Sequence, residues 1–218
     1  MINVIELHQV TLVRGGNPVL TDVNLAVSAQ ERIAIVGSNG VGKSTLLRSI
    51  VGLERAASGH VELFGHPCTE ERQFRQFRHR VGFLFQDSDD QLFCPTVIED
   101  VSFGPLNIGC TQMEAMEHAR AALGELGISH LADRISHRLS GGEKRLVCLA
   151  GLMAMQPDIL LLDEPANGVD AEHEERMRRI LHAFPGTMLL VSHDTGFVSA
   201  LTNRVLSIRD GHLYAGPM

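Results

Sequence analysis

Three stretches carry residue types whose spacing can do chemistry. The first, Gly37-Ser38-Asn39-Gly40-Val41-Gly42-Lys43-Ser44-Thr45, fits the phosphate-binding pattern of Gly, four residues, then Gly-Lys-Ser/Thr. Glycines let backbone N–H groups curl around a β-phosphate without side-chain clash. A helix opening there adds partial positive charge. Lys43 is placed to reach β- and γ-phosphates and the Ser44 hydroxyl to ligate Mg²⁺. The second, Ile159-Leu160-Leu161-Leu162-Asp163-Glu164, is an apolar run ending in two carboxylates. Asp163 can hold Mg²⁺ through water, and Glu164 can polarise an attacking water as general base. The third, Leu139-Ser140-Gly141-Gly142-Glu143-Lys144-Arg145, pairs a helix-capping Ser140 with Glu143 three residues on. Its bare glycines at a helix start make a second anion site.

These residues need rigid elements behind them, and the pattern supplies them. Arg32-Ile33-Ala34-Ile35-Val36 reads as a buried strand ahead of the phosphate loop, and residues 44–51 as a helix behind it, ended by Gly52. Residues 4–13 and 19–27 alternate as two strands around the turn Gly15-Gly16-Asn17-Pro18, predicting an antiparallel pair. A short strand is expected over 60–64, an amphipathic helix over 70–80, and a buried strand over 81–85 that ends at Gln86. Residues 87–156 hold helical signals at 96–103, 111–126 and 142–155 and almost no strand signal, predicting a helical insertion between halves of a sheet. Strands at 159–163, 187–192, 203–208 and 212–214 alternate with helices at 171–183 and 195–201. That alternation predicts a parallel α/β sheet with helices on both faces, whose strand ends carry the chemistry.

Totals exclude several classes. At 218 residues the chain is one large domain, or a domain with a subdomain. A net charge of −7 argues against a general nucleic-acid binder, so Arg72, Arg75, Arg78 and Arg80 read as an amphipathic helix rather than a nucleic-acid patch. No apolar run is long enough to span a membrane, and Met1-Ile2-Asn3-Val4-Ile5-Glu6 lacks a signal-peptide pattern. Cys68, Cys94, Cys110 and Cys148 are widely spaced, as expected for reduced thiols. The 11 histidines are scattered without a His-x₃-His cluster and read as surface or structural residues. His66 and Cys68, in a proline-containing turn, are too few ligands for a closed metal site.

Leu-Ser-Gly-Gly-Glu between a phosphate loop and a strand ending in Asp-Glu resembles the ATP-binding-cassette ATPases. With Gln86 and His193 each following a strand, five motifs stand in that family's order over residues 31–193. The resemblance implies an α/β phosphate-loop nucleotide-binding domain. Its mixed central sheet has helices on both faces, beside an antiparallel β subdomain and a helical signature subdomain. A single domain over 1–218 follows, with a core of about 1–86 and 157–218 and a helical part of about 87–156. The resemblance also implies that two copies face head to tail, most simply as a homodimer. Each ATP is then held by one phosphate loop and the other chain's Ser140, Gly141, Gly142 and Glu143. Gln86 would sense Mg²⁺ and the attacking water, His193 would contact the γ-phosphate, and Asp170 would lie in the loop crossing the interface. Opposed helix N-termini can balance phosphate charge only when ATP is present, so ATP closes the pair and hydrolysis releases it.

Residues 86–105 narrow the resemblance to energy-coupling-factor transporters, most like bacterial cobalt and nickel importers. There this segment receives helices of a transmembrane scaffold subunit. Asp87, Asp89, Asp90, Glu99 and Asp100 beside Leu92, Phe93 and Val97 suit an Arg-bearing amphipathic helix. A scaffold, a substrate-binding membrane subunit and a peripheral position on the cytoplasmic face are expected. Because the chain ends at Met218, soon after the last strand, regulatory and membrane functions are expected on other polypeptides. The same chassis serves vitamin importers such as biotin's. A soluble cassette ATPase acting on DNA or ribosomes is the third reading; such proteins usually carry paired cassettes or a long coiled-coil insertion, neither of which this sequence shows, and its acidic charge counts against nucleic acid. Three departures stand out. Leu12, Val13 and Arg14 occupy the place of an adenine-stacking aromatic, the one tyrosine being Tyr214. Ser88 replaces a common proline, and Asn167 and Val169 vary the loop before Asp170.

Overall fold

A computed structural model describes residues 2–216; Met1, Pro217 and Met218 lie outside them, and with Met218 the expected end of the chain. Two long strands, β1 (Asn3–Arg14) and β2 (Asn17–Ser28), form an antiparallel hairpin. Its turn residues Gly15 (φ 58°) and Gly16 (φ 81°) are both left-handed, as a tight hairpin matching strand twist requires. After β3 (Arg32–Val36) and α1 (Lys43–Ile50), β4 (Ser58–Leu63) pairs antiparallel with β1. Residues His66–Cys68, expected as a turn, form a further short strand, β5. Phe64 and Gly65 take positive φ and make a second tight hairpin, a sharper turn than the composition suggests. The first sheet therefore runs β2-β1-β4-β5.

The chain then passes through α2 (Glu71–Phe77), β6 (Val81–Leu84), α3 (Val97–Asn107), α4 (Gln112–Glu125) and α5 (Gly141–Ala154). It closes with β7 (Ile159–Asp163), α6 (Ala171–Ala183), β8 (Thr187–Val191), α7 (Thr195–Leu201), β9 (Arg204–Arg209) and β10 (His212–Ala215). The second sheet runs β10-β9-β3-β8-β7-β6, parallel except for the edge strand β10. The helix predicted over 96–103 extends to Asn107 through Pro105, where it is one turn longer than its periodicity indicated. In the basic stretch 70–80, Arg78 pairs with Glu71, and Arg80 pairs with Asp158 while lying over the Phe64 ring. Those two cations are spent inside the fold.

The central strands are buried on both faces, which is why they read as unbroken apolar runs. Ile159 and Leu161 of β7, with Leu189 and Val191 of β8, pack on the side of α1 and the first sheet. Leu160 and Leu162, with Met188 and Leu190, pack on the other side, against α3 to α7. The three helices between β6 and β7 start alike. Thr96 with Glu99, Thr111 with Glu114 and Ser140 with Glu143 each form a reciprocal capping box.

One side chain fastens these helices to the sheet. Arg145 of α5 is buried, and its five N–H groups meet five main-chain carbonyls. Nη1 donates to Phe85 O and Gln86 O, Nε to Pro165 O, and Nη2 to Asp163 O and Glu164 O. The ends of β6 and β7 are thus held to α5 by a single guanidinium. Arg145→Met leaves those carbonyls buried without a donor, with an expected loss of about 3 kcal/mol and a fall in Tm of roughly 6–12 °C. Arg145→Lys, a point donor without the planar fork, should recover less than half of the loss. Calorimetry of the two variants measures both; a fall in Tm for Arg145→Met of less than about 2 °C would show that the carbonyls find other partners.

Candidate functional site

The phosphate loop connects the end of β3 to α1. Gly42 sits at φ 109° as the N-cap of α1, and a Cβ there would lie 2.8 Å from Val19 Cγ1. Both the backbone angle and the close approach of β2 demand glycine. Lys43 is buried, its Nζ donating to Gly37 O at 2.7 Å and Ser38 O at 2.9 Å. The lysine is thereby stored against its own loop, with two carbonyls standing in for phosphate oxygens.

The loop opens on a cavity of about 410 Å³. Asn39, Gly40, Gly42, Lys43, Ser44 and Thr45 form one wall, and Gln86, Asp163, Glu164 and His193 the other. Those wall residues, drawn from four strand ends, are what the sequence nominated. Arg14 and Asn167 also line it. Arg14 stands where an adenine-stacking ring was expected, while Tyr214 lies beneath Arg209 on the edge strand pair. Ser38 and Val41 face a neighbouring cleft together with Pro18 and Ile208, and Gly37 packs against Ile208 O and Val41.

Ser140, Gly141, Gly142 and Glu143 are outside the cavity. Ser140 N–H donates to Glu143 Oε2 at 2.8 Å, and Glu143 N–H donates to Ser140 Oγ at 3.3 Å. The Ser140 N–H holds the Glu143 carboxyl below its usual range. Asp170 caps α6, accepting from Glu172 N and His173 N, and its Oδ2 is 2.5 Å from His173 Nδ1. It lies beside Gly142, 3.7 Å from where a Cβ would stand, rather than beside the phosphate loop. One chain therefore does not bring the nominated nucleotide contacts together: 37–45 and 140–143 belong to separate surfaces.

The chemical wall has an unusual electrostatic balance. Asp163 is buried, and burial pushes its carboxyl up, opposed by the Ser44 hydroxyl and the Arg145 charge. Its Oδ1 has no hydrogen-bond partner. Glu164 is also raised by burial, with His193 and Lys43 acting the other way. His193 Nε2 is 3.1 Å from Glu164 Oε1, close enough for an ion pair but off the hydrogen-bonding line, so that oxygen too has no hydrogen bond. Upward shifts mean that ionising these carboxylates costs stability. The cost is absent at pH below the ordinary carboxylate range and complete above the raised values. A divalent cation at the Asp163 oxygen would remove it, and the oxygen-only set of Ser44, Asp163 and Gln86 suits Mg²⁺.

Glu164 has φ 51°, a left-handed angle uncommon for glutamate. Its N–H donates to Val191 O at 2.9 Å, and its carbonyl accepts from Arg145, so both flanks are held. Such strain clusters where geometry matters more than stability. Neither Arg145 nor Asn167 was foreseen as a site residue. Arg145 follows the glycine pair by three positions, yet nothing in its spacing says that it reaches two strand ends.

The acidic segment after Gln86 is partly reassigned. Glu99 is a helix cap, and Asp100 accepts from Phe93 N, Cys94 N and Ser136 Oγ. Asp89 pairs with Lys144 and Val97 is fully buried. Asp87 and Asp90 remain exposed, and Phe93 (64% exposed) meets Phe103 edge-on at 4.6 Å above a small apolar groove walled by Leu92, Gly151 and Met155.

The ABC transporter family matches residues 20–167 of this chain. A protein of Brucella suis biovar 1 described as an ABC transporter ATP-binding protein is 53% identical over 96% of this chain and 87% of its own. The cobalt import ATP-binding protein CbiO of Rhodobacter capsulatus is 46% identical over 92% of this chain and 73% of its own. The structure of cbiO1 from Clostridium perfringens, part of the ABC transporter complex cbiONQ, superposes with a TM-score of 0.85 at 30% identity. It covers 98% of this chain and 88% of its own. With its fold and a continuous family match across the phosphate loop, the Ser140-capped helix and the Asp163-Glu164 strand end, this chain belongs to the ABC transporter ATP-binding family and is an ATP-hydrolysing ABC-type transport ATPase.

Proposed function

We propose that this chain powers an energy-coupling-factor importer of a transition-metal ion, cobalt or nickel, as one of two ATPase subunits on the cytoplasmic face of a membrane. The observation that carries the mechanism is the separation of residues 37–45 from residues 140–143 on one chain. A second copy, head to tail, completes the site by bringing its Ser140-Gly141-Gly142 helix start to the γ-phosphate. The importer class rests on the likeness to CbiO, and the choice of ion belongs to a separate membrane subunit. In this reading residues 1–86 and 157–218 form the nucleotide-binding core of a single domain, and residues 87–156 its arm.

Lys43 leaves Gly37 O and Ser38 O for the β- and γ-phosphates when ATP enters. Ser44, Asp163 and Gln86 would hold Mg²⁺, which supplies charge neutralisation at the phosphates. Glu164 accepts a proton from the attacking water as its oxygen bonds to the γ-phosphorus and the β–γ bridge breaks. His193 steadies the γ-phosphate oxygens and, beside Glu164, opposes the burial that raises that carboxyl's pKa. Arg145 ties this wall to α5, so movement at Gln86 and Glu164 reaches the arm and the Phe93–Phe103 groove. An amphipathic helix of the scaffold subunit would dock there, its cations facing Asp87 and Asp90.

Two measurements test these roles. Glu164→Gln should retain ATP binding and accumulate an ATP-bound dimer, while phosphate release falls by roughly 100-fold or more. Unchanged phosphate release would remove Glu164 from the mechanism. Combining Phe93→Asp with Asp90→Lys should abolish co-purification with the membrane subunits and leave ATP-driven dimerisation intact; undiminished co-purification would place docking elsewhere.

A further inference from the structure

The outer face of the first sheet carries a cluster that ATP hydrolysis does not use. β1 and β4 pair in register so that Glu6 faces Glu62 and His8 faces His60. The intervening residues Leu7 and Val61 point into the core, so the four polar side chains form a square on one face. Its sequence signature is Glu-x-His on one strand and His-x-Glu on the antiparallel other.

The side chains converge. His60 Nε2 is 3.1 Å from Glu62 Oε1, and His8 Nε2 is 3.7 Å from the same oxygen and 3.9 Å from Glu6 Oε2. The two imidazoles stack at 4.7 Å, turning both Nε2 atoms towards Glu62. His8 Nε2 is shielded from solvent and makes no hydrogen bond. Two carboxylates directly opposite on neighbouring strands repel, and a buried ring nitrogen without a partner is costly. One cation between them would offset both costs.

The backbone is shaped for this convergence. Gln9 has φ 50° and pairing on both sides of β1 slips next to it, a bulge that re-aims His8. Gly59 (φ 76°) lies so near that a Cβ there would stand 2.3 Å from His8 O.

We propose that His8, His60 and Glu62, with Glu6 within reach as a fourth ligand, bind one divalent transition-metal ion of the zinc, cobalt or nickel class. Nitrogen and oxygen donors about 2.0–2.2 Å from a tetrahedral ion stand about 3.4 Å from one another. The ligand atoms of His8, His60 and Glu62 all lie within 4.8 Å of one another, so small side-chain rotations complete the site. Two imidazoles favour such ions over Mg²⁺, which takes oxygen ligands. The ion would tie β1 to β4. This site is independent of the importer assignment.

The test uses the chelator-treated full chain without nucleotide or Mg²⁺. Equilibrium dialysis against Zn²⁺ should give one ion per chain, and Co²⁺ should give the intense visible absorption of a tetrahedral centre. His60→Gln and Glu62→Gln should each weaken binding at least tenfold and abolish the rise in Tm that Zn²⁺ causes in the parent. Asp163→Asn and Cys68→Ser control for the phosphate-binding cavity and the thiols and should bind as the parent does. Absence of Zn²⁺ binding at micromolar concentration, or binding lost in Asp163→Asn or Cys68→Ser and kept in His60→Gln and Glu62→Gln, would overturn the proposal. Far-ultraviolet dichroism of the metal-free variants, matching the parent, separates lost ligands from lost fold; if one variant unfolds, the other decides.

Discussion

The Arg145 guanidinium is the constraint on which the rest of this structure turns. It is a buried charge whose hydrogen-bond partners are main-chain carbonyls, and burial lowers its pKa while Asp163 and Glu164 nearby oppose that shift. An arginine is never deprotonated at physiological pH, so the charge stays and must be hydrogen-bonded in place. Five carbonyls from two strand ends satisfy it completely, which fixes the loop after β6, the turn after β7 and helix α5 as one body. Carboxylate partners would have held one residue; carbonyls hold backbone. The helix capped by Ser140 therefore keeps a fixed relation to Gln86, Asp163 and Glu164 of its own chain, although its N-terminal residues lie outside their cavity.

That arrangement gives the electrostatics of the cavity a direction. Two buried carboxylates with upward-shifted pKa values, each with an oxygen lacking a hydrogen bond, face a lysine stored on loop carbonyls. Each group is adequately placed alone, and none is best satisfied alone. A ligand carrying both phosphate and a divalent cation gives the lysine an anion and the carboxylates a charge in one event. Differential interaction of this kind is what allows a ligand to shift a conformational equilibrium. In the proposed cycle the shift is the closing of two chains, and Arg145 passes it to the groove beside Phe93.

Much of this was legible in the sequence because it is local. The phosphate loop is nine consecutive residues read between a strand and a helix, and the fold has both neighbours, β3 and α1, in place. Ser140 with Glu143 was recognisable as a cap because a capping box spans four residues. What escaped was long-range or locally ambiguous. Glu99 and Asp100 read as a charged surface because composition cannot separate an exposed carboxylate from one folded back on N–H groups. Arg145 looked like an ordinary helix residue since its partners lie about 20 positions ahead and 60 behind. The histidines looked scattered for the same reason: only strand register sets His8 beside His60 and Glu6 beside Glu62.

Strand β1 then serves two places at once. Its C-terminal residue, Arg14, lines the phosphate-loop cavity where an adenine-stacking aromatic was expected, while Glu6 and His8 occupy its other half. Arg14 lies six positions along extended chain from His8, ~20 Å at the usual rise per residue. At that distance, across solvent, an ion at His8 exerts little direct field on phosphate. Its influence would have to be mechanical, by fixing the register of β1 against β4 and so the position of Arg14 over the cavity mouth. A stacked tyrosine or phenylalanine would be held there by its own ring packing. An arginine is long and has no such anchor, so the order of the strand that carries it matters more. The missing aromatic and the histidine–glutamate square are thus connected by one strand, and the rigidity of that strand is the quantity through which either could affect nucleotide binding.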